Sequence, residues 1–269
     1  MLDSRNGLVQ RHSFKLTQIK HAKDIIRACV AKVEALRDKA TASTALAQAV
    51  SEVKAFQSRR FMGSYADLLQ TKQYKPATLF FLNELYSEKD YSERDAQFAR
   101  IAGALERLFP DQVVQTAVAL AQLHCLTEEL DQAMAKCWMK TKPSKTDTLQ
   151  IERYQTAWLT VGRRKDRDAQ LQSALAVGQE LIQLTRMPGL RMALKLMRGP
   201  AHAAGMAALQ HFLESGFDTF AAMGKEKDGT DFFLQTVAQR EAEMIDVLFD
   251  ASFEDSQVAV EKVLTKAKK

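Results

Sequence analysis

Hydrophobic residues recur along nearly the whole chain at helical spacing, and no stretch alternates apolar with polar in the two-residue rhythm of a strand. From Ser13, the positions Leu16, Ile19, Ile26, Val30, Val33 and Leu36 fall on one stripe between lysines and arginines, predicting an amphipathic helix to about Lys39. A second helix begins near Ser43 with Leu46, Val50, Val53 and Phe56 inward, and continues past Gly63, an expected kink, to Leu69. Pro76 suits the first turn of a helix from Lys75 to Tyr86, because its missing amide has no partner to lose there. Ser92 and Asp95 form a capping pair for a helix to Phe109. After Pro110 the most apolar helix runs to Met139 with Leu120, Leu123, Leu126, Leu130 and Met134 as its inner stripe, which marks it as central.

Lys140 to Lys145, containing Pro143, reads as a connection between packed helices. Helices follow over Asp147 to Gly162, Asp166 to Thr185, Leu190 to Met197, Pro200 to Met223, Thr230 to Phe249 and Asp255 to Lys268. In the Pro200 helix, Ala201, Ala204, Gly205 and Ala208 predict a face that another helix approaches closely. The chain therefore reads as all-α: a loose segment over residues 1–12, then one domain over 13–269 built as a bundle of about ten helices.

The heptapeptide Phe80-Phe81-Leu82-Asn83-Glu84-Leu85-Tyr86, followed by Asp90, Arg94-Asp95 and Phe98, resembles a family of bacterial proteins named for its FFLEELY motif, with Asn83 where that family usually has Glu. A second stretch is similar to the same family, from Pro200-Ala201 through Phe212-Leu213-Glu214-Ser215-Gly216-Phe217 to Arg240-Glu241. The resemblance covers most of the chain after about Arg59. It implies a shared fold and carries no catalytic role.

Composition agrees with a helical globular chain. Of 269 residues, 46% are hydrophobic and 26% charged, and only 5 Pro and 11 Gly interrupt residues that lose little freedom in a helix. The net charge of +5 comes from 38 basic against 33 acidic residues. Its clusters, Arg163-Arg164-Lys165 with Arg167 and the tail Lys266, Lys268 and Lys269, lack interleaved aromatics or glycines, which argues against a nucleic-acid module. No apolar leader and no run of about 18 apolar residues is present, so the expectation is a cytoplasmic protein without a membrane span. Cys29, Cys125 and Cys137 form no CxxC pair and suit small apolar positions.

Three constellations carry candidate chemistry. His124 and Glu128, four residues apart on the central helix, face one point that Glu84 could approach, which would make a metal site for an oxidoreductase-like or hydrolytic helical enzyme. No Glu-x-x-His pair of the di-iron type accompanies them, so no metal cofactor is predicted as the leading reading. Haem could be held by His124, His202 or His211, but no CxxCH attachment exists. The second constellation is a structural ionic network drawn from Arg60, Asp67, Glu84, Asp90, Arg94, Asp95, Arg240 and Glu241, in which Glu84, Asp90, Arg94 and Arg240 are expected to be buried and paired. The third is an apolar pocket or partner groove among Phe80, Phe81, Phe98, Phe212, Phe217, Phe220, Phe232 and Phe233. G-x-S-x-G, G-x-x-x-x-G-K and G-x-G-x-x-G are all missing. The leading functional expectation is a module that binds a protein partner or an apolar small molecule, held together by contact between the two phenylalanine-rich segments.

Overall fold

The phenylalanine-rich segments do meet. Phe80 stacks on Phe212 with ring centroids 5.6 Å apart and sets its edge against Phe220 at 6.5 Å. The structure, a computed structural model, describes residues 22–141, 146–225 and 229–267. Among these it contains thirteen α-helices and no strand. The expected loose segment 1–12, the first residues of the Ser13 helix and most of the Lys140 to Lys145 connection lie outside the described residues.

The chain opens with α1 (Ala22–Thr41) and α2 (Thr44–Ser64). Ser43 caps α2, its hydroxyl accepting from the Leu46 amide at 3.3 Å. A single turn, α3 (Ala66–Leu69), leads to α4 (Lys75–Phe80), which has Pro76 in its first turn. α5 spans Ser92–Leu108, α6 Asp111–Trp138, α7 Asp147–Val161 and α8 Arg164–Thr185. The short α9 (Leu190–Leu196) and α10 (Arg198–Ala203) precede α11 (Ala207–Met223), α12 (Gly229–Asp250) and α13 (Phe253–Lys266). The long apolar α6 is the axis, packed by α1, α2, α5, α7 and α8. It buries residues on every side, including Asp131 and Gln132, because neighbours surround it.

Two apolar clusters form. The larger draws residues from Ala40 to Leu264 and centres on Phe56, Met134, Trp138 and Tyr154. A smaller one joins Ala22 and Ile26 of α1 to Ala102 and Leu105 of α5 and to Val114 and Val118 of α6.

Several boundaries differ from the sequence reading for identifiable reasons. The helix after Lys75 widens into a π turn over Phe81–Leu85, where the Tyr86 amide reaches the Phe81 carbonyl at 3.0 Å. The expected Pro200 to Met223 helix is broken at Ala204-Gly205, whose carbonyls accept from Arg100 Nη2 at 2.8 and 3.0 Å. Its small residues therefore serve a break rather than a close helix face. Ser92 and Asp95 do not cap α5. Asp90 does so instead, accepting from the Ser92 amide and hydroxyl, each at 2.9 Å, while Asp95 turns inward.

Gly63 does not kink α2, which is continuous to Ser64. It admits the backbone of α13: a Cβ at this position would lie 2.0 Å from the Val263 carbonyl oxygen. A backbone atom cannot rotate away, so the clash outweighs the gain of about 1 kcal/mol that Ala ordinarily brings over Gly inside a helix. Gly63→Ala is accordingly expected to lose about 1–3 kcal/mol, the usual scale of overpacking. Urea unfolding midpoints measure it, and a variant as stable as wild type would show that α13 does not press on α2 there.

Candidate functional site

The helices around α6 do not close on one another. Between α4, α5, α6, α8, α11 and α12 they enclose a cavity of about 380 Å³ whose walls are almost wholly apolar. That is within the range of about 300–1,000 Å³ typical of small-molecule sites. Phe80, Phe98, Phe212, Phe217 and Phe220 supply aromatic wall, and Leu175, Leu181 and Leu209 aliphatic wall. Gly216 lets the Phe80 ring lie against α11, since a Cβ there would come within 2.9 Å of it. At one end the lining reaches solvent at Leu108, 74% exposed, and at Met197.

Another part of the lining is buried and polar. Arg60 on α2 makes a two-pronged ion pair with Glu241 on α12, Nη1 to Oε1 at 3.2 Å and Nη2 to Oε2 at 2.8 Å. The Tyr65 hydroxyl donates to Glu241 Oε1 at 2.8 Å. Burial alone would favour neutral Arg60, but the Glu241 carboxylate holds its pKa above the ordinary arginine value. Burial, then Glu241, pushes the Tyr65 hydroxyl well above the usual tyrosine range, so it stays a donor.

Beside this pair, Asp131 of α6 accepts from Gln57 Nε2 at 2.8 Å and from the Tyr86 hydroxyl at 3.0 Å. Gln57 Nε2 also donates to that hydroxyl. Burial raises the Asp131 carboxyl above its usual value. Arg167 of α8, 6% exposed, lies over the Trp158 ring with 4.4 Å from Cζ to centroid. It donates through Nη1 to Gln170 Oε1 at 3.0 Å. Arg60, Gln57, Tyr86, Arg167 and Glu241 all line the cavity.

On a lateral wall, Asp95 gathers three elements. Arg37 Nη2 of α1 lies 2.9 Å from Asp95 Oδ2, His124 Nε2 of α6 lies 3.0 Å from the same oxygen, and Arg94 Nη2 lies 3.4 Å from Oδ1. Burial would raise this carboxyl, yet the hydrogen bond and charge of His124, with Arg37 and Arg94, hold it at about 2. Arg94 also closes the π turn. That wider turn leaves carbonyls without helical partners, and Arg94 Nη1 takes Glu84 O at 2.7 Å while the Tyr91 hydroxyl takes Asn83 O at 3.0 Å.

The residues singled out from sequence are therefore dispersed. Glu84 pairs with Lys89 at 3.1 Å and stands partly in solvent, Asp90 caps α5, and Arg240 lies outside the core on Asp67 at 2.7 Å and the Ser64 carbonyl at 2.6 Å. The expected network of Glu84, Asp90, Arg94 and Arg240 thus does not form as one unit. Its buried counterpart is Arg60 with Glu241.

The three side chains of the metal constellation each have another partner. Glu84 and His124 line the cavity, but Glu84 is held by Lys89, His124 by Asp95, and Glu128 by Lys54 at 2.6 Å. Among the described residues no group of three or more His, Cys, Asp or Glu side chains is placed to hold a metal ion. His202 and His211 are exposed, and neither is on the lining of the cavity. The Cys29 thiol is pushed up to about 11 by burial and by nearby Cys125, so it is a poor nucleophile.

Sequence reasoning missed Gln57, Tyr86, Asp131 and Arg167 as site residues. One signal was available: Asp131 and Gln132 interrupt the most apolar helix of the chain, where a polar side chain needs an internal partner.

Two stability experiments test this geometry. Glu84→Ala is expected to cost less than about 1 kcal/mol, as for a surface pair, whereas Glu241→Ala strands a buried guanidinium and is expected to cost about 3–5 kcal/mol. Equal losses in urea unfolding would contradict the placement of Glu84 at the edge and Glu241 inside. The depressed Asp95 carboxyl adds stability that is fully present above its unfolded value near 3.8 and disappears as pH falls through about 2. Asp95→Asn should therefore be about 2 kcal/mol less stable at neutral pH, with about half of that gap gone by pH 3. A gap independent of pH would assign the loss to shape rather than charge.

Residues 36–255 match the family described as Domain of unknown function (DUF8198). No curated protein and no solved structure matches the chain. The matched span takes in Arg60, Arg167, Glu241 and the aromatic wall, leaving only Cys29 and Val30 of the cavity lining outside it. The chain belongs to the Domain of unknown function (DUF8198) family.

Proposed function

We propose that the protein is a binding protein for an apolar small molecule, held between helices in the cavity beside α6. The single observation that supports this reading is the cavity itself: about 380 Å³ with mostly apolar walls, adjoining the larger apolar core. Protein interiors ordinarily contain few voids larger than a water molecule, because an empty apolar space forfeits dispersion contacts on every side. An occupant restores those contacts, and the exposed lining at Leu108 and Met197 offers it a way in. Dry apolar cavities of this kind take up apolar guests rather than water.

Among the described residues, the His124 wall of the cavity is engaged in structural contacts. His124 spends its Nε2 on Asp95, and Asp95 in turn is shared by two arginines, so this wall reads as a brace between α1, α5 and α6. A binding role for a small apolar molecule needs only the cavity and its entrance.

The test is a fluorescence titration of the full chain with Nile red, an uncharged dye that brightens in apolar surroundings. Saturable binding is expected, with displacement by tetradecan-1-ol. Ala174→Trp, which places an indole in the cavity from α8, is expected to weaken dye binding at least about tenfold, equivalent to 1.4 kcal/mol, while melting at or above the wild-type temperature. Unsaturable dye fluorescence, or full binding by the filled variant, would remove the cavity from the account.

A further inference from the structure

The polar end of the cavity contains donors that nothing among the described residues satisfies. Arg167 Nη2 and Arg60 Nε are buried N–H groups with no acceptor among the described residues, and both belong to residues that line the cavity. Such groups are rare in native structures, and each one calls for an explanation. Leaving a buried charged donor unpaired is expensive, on the order of the desolvation penalty of the group itself.

Direct pairing at this end is uneven. Arg60 is paired by the two oxygens of Glu241. Arg167 has no carboxylate within bonding distance among the described residues: Nη1 goes to the neutral amide oxygen of Gln170, and Trp158 covers the guanidinium face. Asp131 acts on it through space, but both its oxygens are taken by Gln57 and Tyr86. Burial first, with added repulsion from Arg60, works against the charged form of Arg167, and Asp131 only partly offsets this. Gln170 is itself fixed, since its amide nitrogen donates to Thr127 Oγ1 at 2.8 Å. The guanidinium is therefore held in place with Nη2 unpaired among the described residues.

We infer that the occupant of the cavity is a long-chain carboxylate, its head accepting from Arg167 Nη2 beside Arg60 Nε and its tail lying along the phenylalanine wall toward Leu108 and Met197. This rests on the cavity-binding reading and adds the class of ligand to it. A guanidinium with no direct carboxylate partner and one unpaired N–H group answers a single negative charge, which favours a carboxylate over a phosphate dianion. Glu241 on the lining, with Asp131 beside Gln57, disfavours a dianion more than a single carboxylate. Arg94 is not an alternative anchor, because the Glu84 carbonyl, Asp95 and the faces of Tyr91 and Phe212 already occupy it.

The experiment displaces Nile red from the full chain at pH 8 with tetradecanoate, tetradecan-1-ol and tetradecyl phosphate, each below its micelle-forming concentration. Tetradecanoate is expected to displace the dye at a concentration at least about tenfold lower than the alcohol, a difference of one charge-assisted contact. In Arg167→Gln that preference should vanish while the affinity for the alcohol is retained, and Arg167→Lys should recover part of it. If neither substituted protein folds, the wild-type ratio of acid to alcohol still decides.

Equal displacement by acid and alcohol would overturn the carboxylate assignment and leave the cavity reading standing. Tighter binding of the phosphate would overturn the single-charge argument. A preference for the acid that survives in Arg167→Gln would remove Arg167 as the anchor. Failure of all three ligands together with the dye would sink both this inference and the reading beneath it.

Discussion

A buried guanidinium must find a carboxylate, and in this chain Arg60 finds Glu241, a residue 181 positions later. Neither charge can leave the other without facing an apolar interior, so the pair sets how α2 and α12 lie across the molecule. Tyr65 takes a place on the same carboxylate and ties the end of α2 to it. Outside the core, Arg240, the neighbour of Glu241 in sequence, reaches Asp67 and the Ser64 carbonyl and fastens the same two elements from the solvent side. On α2 itself, Gly63 admits α13 almost to backbone contact. Several helices are thus positioned by reference to one buried ion pair.

That frame explains how an open space persists inside the bundle. Apolar walls left to themselves would close up, since every filled gap gains dispersion and hides surface from water. Here the walls are spaced by polar contacts of fixed length: Arg60 with Glu241 at the inner end, Asp95 with Arg37 and His124 on a flank, and Arg94 on the π turn. The π turn has its own share in this. By widening one turn of the helix it sets Phe81, Glu84, Leu85 and Tyr86 on the cavity lining, and sends the Tyr86 hydroxyl to Asp131.

The helical class, the central place of α6, the start of α2 near Ser43, Pro76 in the first turn of α4 and the meeting of the two phenylalanine-rich segments were all legible in the one-dimensional pattern. Each depends on residues close in sequence or on a strong apolar stripe. Asp95 shows where such reading fails. Ser92 and Asp95 have the spacing of a capping pair, yet a nearby alternative, Asp90, took the cap, and Asp95 found three partners on other elements. Glu84 was assigned inward by its position four residues after Phe80, and the π turn shifted that phase toward Lys89.

The sequence by itself determined that this protein is a bundle of amphipathic helices, because periodicity and local capping act within a few residues and need no knowledge of the rest. Only the tertiary structure decided which charges are buried, which partners they keep and where the walls stop short of meeting. A helical stripe tells which face turns inward, but not which other helix that face will meet. Arg60 and Glu241, or Arg167 with its Nη2 unpaired among the described residues, acquire their meaning only when α2, α8 and α12 stand side by side.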